Sequence, residues 1–484
     1  MQLNTISNFF FVGIAGTGMS AIAQYLQGTG KQVSGSDRLF SPTDKMQVQT
    51  QFEAQGIQCF FQDGSGITSA TQVVVVSTAI EQTNIEYQKA LALNIPIVKR
   101  SELLAAISNS IKTIAVGGTS GKSTTTAMIF HILDVCGYAP SLITGAGLSC
   151  LQEKGLPGNA WNGSGEWLVI EADESDGSIV NYNPEIGVLL NIDRDHKEFD
   201  ELMQLFATFK QHTKSQFIVN QDYERTRELS QNAQFDFGTL DANVGVYGEN
   251  FVQQGFEISF FVSTPLNDRA VADTSTTLSN QRSRSHNILC TVPLIGKHNM
   301  ENALAALAVA KAVGIDLQQA IESLASFQGI YRRTQLVGIH KERNIIVIDD
   351  FAHNPAEVAA AIKSCQNIAS RVIAYFQPHG FGPLRFMHEE LSEEVAQALR
   401  PNDIFLIGDV YYAGGTVDMN ISPRIVSDAI QKHGKQAIFS GSKEQSLQEI
   451  RNCVSNNCVV LTMGARDPKL DEFARLVSEV VVDE

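Results

Sequence analysis

Residues 111–129 constrain the chain more than any other stretch, reading I-K-T-I-A-V-G-G-T-S-G-K-S-T-T-T-A-M-I. An apolar, β-rich run (111–116) enters the pair Gly117 and Gly118. Thr119, Ser120, Gly121, Lys122, Ser123 and Thr124 then lead into a helical pattern. Strand, glycine loop and helix in that order cradle nucleotide phosphate. Glycines let backbone N–H groups close round the oxygens, and the helix start adds partial positive charge. In such a loop the lysine, here Lys122, reaches the β- and γ-phosphates, and the next hydroxyl, here Ser123, holds Mg²⁺. The strict pattern needs glycine at position 116, where this chain has Val116, so the loop is a variant. A glycine turn before a capped helix is the competing reading, and it does not call for Gly-Lys-Ser directly after a strand.

A chain of 484 residues has room for about three domains. Strands alternating with helices make each of them α/β: an N-terminal Rossmann-like domain (1–108), a central P-loop ATPase-like domain (109–326) and a C-terminal Rossmann-like open sheet (327–484). In the first, strand 9–12 runs into G-I-A-G-T-G-M-S, a helix follows to about Leu26, and strand 33–36 ends at Asp37. Gly13, Gly16 and Gly18 are spaced G-x-x-G-x-G instead of G-x-G-x-x-G. Dinucleotide binding and tight helix–strand packing both remain open. Strand 73–76 is followed by Ser77, Thr78 and Ala79 at the same sheet edge.

In the central domain, strand 167–170 ends in E-A-D-E-S-D, which starts at Glu171. Strand 186–192 ends in D-R-D-H, which brings Asp195 and His196. Two parallel strands with acids and a histidine at one end, beside a phosphate loop, make a Mg²⁺ site. Residues 230–292 read as short alternating strands with a polar hairpin tip or disordered loop at 273–286. G-K-H-N-M-E-N opens an alanine-rich helix at 303–313, with Asn302 at its start as either a cap or an adenine contact. Residues 327–335 read as a linker whose paired arginines clamp phosphate or face water. Beyond it, strands 344–348, 371–376, 403–407 and 458–463 bring Asp349, Asp350, His353, Asn354, His379 and Asp409 to one edge.

A net charge of −16 argues against a nucleic-acid partner or an anionic membrane surface. No apolar window is long enough for membrane insertion. Seven scattered cysteines and an N-terminus without a signal-peptide pattern point to reduced thiols and a cytoplasmic location.

Six motifs in order, G-G-T-S-G-K-S-T, E-A-D-E-S-D, N-I-D-R-D-H, G-K-H-N-M-E-N, R-R and D-F-A-H-N-P, resemble the Mur ligases over the whole chain. These are ATP-dependent amide-bond-forming enzymes of bacterial cell-wall precursor synthesis. The resemblance implies that ATP phosphorylates a carboxylate, an amine attacks the acyl phosphate, and phosphate leaves, with ATP and Mg²⁺ required. It implies catalysis by Lys122, Glu171 and His196, with Glu171 and His196 as Mg²⁺ ligands beside the Ser123 hydroxyl. ATP contacts fall at Gly118, Thr119, Ser120, Gly121, Lys122, Ser123, Thr124, Asn302, Arg333 and Asp350. UDP-sugar contacts fall at Gly13, Ala15, Gly16, Thr17, Gly18, Met19, Ser20, Asp37, Ser77, Thr78 and Ala79, and acceptor contacts at His353, Asn354, His379 and Arg385. F-V-G-I-A-G-T-G-M-S, Gly35-Ser36-Asp37 and F-Q-P-H look most like the members that join UDP-N-acetylmuramate to L-alanine. A close variant joins an intact tripeptide during cell-wall recycling. The family pattern has arginine after F-Q-P-H. Here Gly380 follows, and Arg385 is the nearest arginine, expected on a loop that folds back. The expected state is monomer or homodimer. An NAD-dependent oxidoreductase would leave the phosphate loop without a role, and a nucleotide switch without chemistry would leave the metal ligands without one.

Overall fold

The computed structural model describes residues 3–193, 198–265, 287–412, 419–467 and 469–482. They divide into two compact units. The first comprises Met1–Phe251, Ser259–Val292 and His298–Gln328; the second comprises Val252–Ile258, Pro293–Lys297 and Gly329–Glu484.

The first unit opens with β1 (Asn8–Val12), α1 (Thr17–Gly28), β2 (Gln32–Asp37), α2 (Gln47–Ala54), β3 (Gln58–Phe61), β4 (Val73–Val76), α3 (Ile85–Ala92), β5 (Ile97–Lys99) and α4 (Arg100–Ser108). The strands form a parallel sheet in the order β3-β2-β1-β4-β5. Its central strands are continuous apolar runs because helices cover both faces: Phe9, Phe10, Phe11 and all four valines of β4 are buried. Strand order reverses between β1 and β4, which opens a crevice at their C-terminal ends. Edge strand β3, none of whose four residues is fully buried, is short and is not anticipated from the sequence.

Next come β6 (Lys112–Gly117), α5 (Lys122–Val135), β7 (Ser141–Ile143), α6 (Ser149–Gln152), β8 (Ala160–Trp161), β9 (Trp167–Glu171), β10 (Ile186–Leu189), α7 (Phe199–His212), β11 (Gln216–Val219) and α8 (Glu224–Glu228). The sheet order is β11-β10-β6-β9-β7-β8, and β8 is its antiparallel edge. A four-stranded sheet follows, β12 (Phe237–Gly238), β13 (Val246–Gln254), β14 (Glu257–Ser263) and β15 (Ile288–Val292), then α9 (Lys297–Val313) and α10 (Leu317–Leu324). The polar stretch 273–286 lies outside the described residues. Helix α9 starts at Lys297, earlier than expected, because Asn299, Met300 and Asn302 form a buried helical face that the polar sequence conceals. One hydrophobic cluster runs from Phe9 and Phe11 through Leu103 and Leu104 to Ile143, Leu168 and Ile170, so these two sheets share a core.

The second unit contains β16 (Gln335–His340), β17 (Ile345–Asp350), α11 (Pro355–Gln366), β18 (Arg371–Gln377), α12 (Phe381–Ala398), β19 (Ile404–Gly408), α13 (Arg424–Lys432), β20 (Gln436–Gly441), α14 (Lys443–Cys453), β21 (Cys458–Gly464) and α15 (Leu470–Val482). The order is β16-β17-β21-β18-β19-β20, parallel except for β16. Edge strands β16 and β20, absent from the sequence reading, are half-polar. The architecture is thus α/β in three domains, one with a P-loop sheet and two with Rossmann-like sheets.

Candidate active site

Strand β6 delivers the phosphate loop. Its flanking strands are β9, with Val116 opposite Glu171, and β10, with Gly117 opposite Leu189. The loop needs two of its glycines for their backbone. Gly118 has φ +138°, and a Cβ there would lie 3.0 Å from Leu190 Cβ and 3.2 Å from the Asn191 nitrogen. Gly121 has φ +84° where α5 begins, and a Cβ there would meet Asn302 Oδ1 at 2.5 Å.

Asn191, the first residue of N-I-D-R-D-H and just past β10, pins the loop, a role that the motif alone does not give. Its Oδ1 accepts from the Ser120 amide and from Thr119 Oγ1, both at 2.8 Å, and its Nδ2 donates to the Ser120 carbonyl at 3.1 Å. Lys122 Nζ donates to the Gly118 carbonyl at 2.7 Å and to Glu174 at 3.0 and 3.2 Å. Burial alone would lower the lysine pKa, but the carboxylates of Glu174, Asp173 and Glu171 outweigh it and hold the ammonium above its ordinary range. Burial pushes the Glu174 carboxyl upward in spite of Lys122.

Asn302 is not at a helix start, which corrects the capping alternative. It sits in the second turn of α9, buried, accepting from Thr125 Oγ1 at 3.2 Å and donating to Asn299 Oδ1 at 3.0 Å. Glu171 ends β9 and accepts at Oε1 from Thr144 Oγ1 and, at 2.8 Å, from the Gly145 amide. Ser123 is buried at the start of α5. Asp195 and His196 lie outside the described residues.

The N-terminal glycine turn shares a pocket with Glu171. The pocket measures about 370 Å³ and is lined by Gly13, Gly16, Thr17, Gly18, Met19 and Ser77 on one side and by Thr144, Gly145, Glu171 and Asp173 on the other. Asp37, at the end of β2, accepts from the Ala15 amide at 3.1 Å and so shapes the turn. Ser20 donates to the Thr17 carbonyl at 2.9 Å. Thr78 and Ala79 fall in the turn that the Ile80 amide closes on the Ser77 carbonyl. Arg100 also lines the pocket, paired with Asp176 at 3.1 Å; the sequence reading assigned neither a role.

The second unit brings His353 and His379 together, ring centroids 5.2 Å apart. Asn354 caps α11 by accepting from the Glu357 amide at 2.9 Å. Arg385 lies on α12, not on a returning loop, because Gly380 at φ +149° starts the helix directly. The paired arginines differ. Arg332 is buried and bound to Asp349 at 2.7 Å, whereas Arg333 is partly exposed, its guanidinium 5.1 Å from the Phe351 ring centroid. Asp350 holds the turn before β16, accepting from the Thr334 amide at 2.6 Å and the Ala352 amide at 2.7 Å.

Burial would lower the His353 pKa, but Glu357, 3.1 Å away, overcomes it and holds the imidazole above its ordinary range. Burial likewise raises Glu357, yet His353 and Arg333 bring its carboxyl down to about 2. A raised histidine stabilises the fold below its unfolded value of 6.5, and this contribution is lost as pH rises through the folded value. The depressed glutamate stabilises above 4.5 and loses that contribution as pH falls toward 2. The pair therefore supports this unit most between about pH 4.5 and 6.5. Glu357→Gln should lower the His353 midpoint in an NMR titration; an unmoved midpoint would assign the shift to another group.

Comparison with known proteins adds three family matches in chain order: the Mur ligase family catalytic domain over residues 8–112, the Mur ligase middle domain over 116–310, and the Mur ligase glutamate ligase domain over 332–466. The chain is 32% identical over 468 residues to a UDP-N-acetylmuramate–L-alanine ligase of Syntrophomonas wolfei, covering 94% of each. It is 34% identical to the ligase of the same name from Nostoc, covering 94% of this chain and 93% of that one. Among solved structures, the UDP-N-acetylmuramate–alanine ligase of Thermotoga maritima aligns with TM-score 0.77 at 25% identity over 98% of each chain. A murein peptide ligase of Psychrobacter arcticus has the same fold, with TM-score 0.66 at 19% identity over 99% of each.

Proposed function

The chain belongs to the Mur ligase family, and from that premise we propose that it joins UDP-N-acetylmuramate to L-alanine with ATP, in peptidoglycan precursor synthesis. The observation that carries this reading is the single pocket lined by both the N-terminal glycine turn and Glu171, one strand from the phosphate loop.

A carboxylate resists nucleophiles because its oxygen is a poor leaving group. A carboxylate oxygen of the sugar attacks the γ-phosphorus of ATP, the bond to the β-phosphate oxygen breaks, and ADP departs. The amine then attacks the acyl carbon, loses a proton, and phosphate leaves. The first step brings two anions together, so cationic groups must offset their repulsion. Lys122 is the protein's charge for this task. To receive the phosphates it must exchange its Glu174 contact for them. The glycine turn and the first turn of α1 hold the UDP part, with Asp37 shaping the turn.

The donors near the loop are oxygens suited to a hard cation: the Ser123 hydroxyl, and the Glu171 carboxylate, whose Oε1 is already anchored. Ser123, Glu171 and His196 would hold Mg²⁺, which supplies further neutralisation of the phosphates. Asn302, Arg333 and Asp350 are assigned to ATP, and His353, Asn354, His379 and Arg385 to the amino acid. The domain boundaries are 1–108, 109–326 and 327–484. Among the described residues no helix is long and apolar enough to cross a membrane. We place the enzyme in the cytoplasm as monomer or homodimer.

Phosphate release with ATP, Mg²⁺ and UDP-N-acetylmuramate, screened against L-alanine, L-serine, glycine and the tripeptide, tests the reading. L-Alanine should give the highest kcat/KM. Turnover with the tripeptide alone would make the chain a recycling ligase.

A further inference from the structure

Strand β7 lies between β9 and β8, with Ile143 opposite Ile170 on one side and Ala160 on the other. The adjoining residues at this end of the three strands are therefore neighbours: Thr144, Glu171 and Asn159. Thr144 joins the other two. Its amide donates to the Asn159 carbonyl at 3.0 Å, and its hydroxyl donates to Glu171 Oε1. The Asn159 side chain faces the other way and is 5% exposed. Its Oδ1 accepts from Gln24 Nε2 at 2.8 Å, and its Nδ2 donates to the Thr17 carbonyl at 2.8 Å and to Ser20 Oγ at 2.7 Å. Thr17 and Ser20 form the first turn of α1, which opens on the glycine turn. An unbroken hydrogen-bonded path thus joins the glycine turn to the Glu171 carboxylate, beside the core that the two sheets share.

We propose that Thr144 and Asn159 are positioning residues that lock Glu171 to the UDP-sugar turn, so that each site senses the loading of the other. The proposal rests on the ligase reading above. An unanchored carboxylate would sample rotamers and present a cation with a shifting oxygen. With Oε1 held by Thr144 and Gly145, the carboxylate keeps one orientation and Oε2 stays available. Partners behind a metal-holding group set its orientation, and their loss costs metal affinity. A satisfied buried amide such as Asn159 resists displacement, because breaking one bond strands several polar groups in a medium of low dielectric. Phosphoryl transfer to the sugar carboxylate needs donor and acceptor aligned within a fraction of an ångström, and the two are held by different domains. The Asn159 side chain, bonded to Thr17 and Ser20, spans that gap, and Thr144 carries the path on to Glu171.

Thr144→Val removes the hydroxyl donor with little change of shape; Thr144→Ser keeps the donor. Calorimetry measures the Kd of UDP-N-acetylmuramate for wild type, both Thr144 variants and Asn159→Ala. Each titration is run with and without Mg²⁺ and a non-hydrolysable ATP analogue, and Mg²⁺ dependence of turnover is measured in parallel. Wild type should bind the UDP-sugar more tightly when the metal and analogue are present. Thr144→Val should lose that tightening and need about tenfold more Mg²⁺ for half-maximal rate, while Thr144→Ser restores both. Asn159→Ala should weaken UDP-sugar binding and lose the tightening too. If it fails to fold, the Thr144 pair decides. A Thr144→Val protein with wild-type tightening and wild-type Mg²⁺ requirement overturns the inference alone. A wild-type protein that does not bind UDP-N-acetylmuramate overturns both the inference and the ligase reading.

Discussion

Lys122→Ala is expected to cut turnover by about 10²–10³-fold, the loss typical of removing one group that stabilises charge developing in a transition state. The lysine sits between the Gly118 carbonyl and Glu174 at the mouth of the loop, and no other basic side chain is bonded to the loop among the described residues. The fold should survive the change. Removing the ammonium leaves Glu174 buried and unpaired, but burial already pushes its carboxyl upward, so it can take up a proton instead of carrying a stranded charge. Phosphate-release kinetics and a thermal melt on the same preparation check both halves. Near-normal turnover from a folded variant would remove Lys122 from the chemistry.

Arg332→Met is expected to destabilise the second unit by about 3–5 kcal/mol, the usual cost of breaking a buried ion pair from one side. Arg332 donates to Asp349 at 2.7 Å and to the Gly464 carbonyl at 2.9 Å, tying the linker turn to β17 and β21. The cost should depend on pH. Burial raises the Asp349 carboxyl to about 6, with Arg332 and Thr462 pulling the other way. Without Arg332 it rises further. A protonated aspartic acid needs no cation, so the loss should be small near pH 5 and grow as pH rises through 6 and beyond. Urea unfolding of variant and wild type at pH 5 and pH 8 measures this. A pH-independent difference would mean that Arg332 acts by packing alone.

The features that announced themselves in the sequence are those whose chemistry depends on a residue type at a fixed local spacing. Gly118, Gly121 and Lys122 are legible because a strand precedes them and a helix follows. The buried strands β1, β4 and β17 are legible because both faces are covered, leaving unbroken apolar runs. The roles of Asn191 and Asn159 are not legible. Asn191 stands in the N-I-D-R-D-H motif, but only the pairing of β10 with β6 shows that it holds Ser120, and the Asn159 amide finds Thr17 and Ser20 only once β8 packs on α1. Asn302 was found, but its setting was misjudged, because a helix that buries Asn299 and Asn302 hides its first turns in a polar stretch. Arg332 and Arg333 are adjacent and chemically identical, and both lie by the Phe351 ring, but only backbone direction buries one against Asp349 and leaves the other partly exposed. The edge strands β16 and β20 are not legible because half-exposed strands carry mixed composition, and β3 is not because four residues are too few to show a period.

The central claim is that a carboxylate of UDP-N-acetylmuramate is activated by ATP before the amine attacks. Oxygen transfer tests it most directly. UDP-N-acetylmuramate labelled with ¹⁸O in its carboxylate is turned over with ATP, Mg²⁺ and L-alanine, and the released phosphate is analysed by mass spectrometry. The account predicts one ¹⁸O in each phosphate, because the bridging oxygen of the acyl phosphate departs with phosphorus. Amide product accompanied by unlabelled phosphate would contradict it.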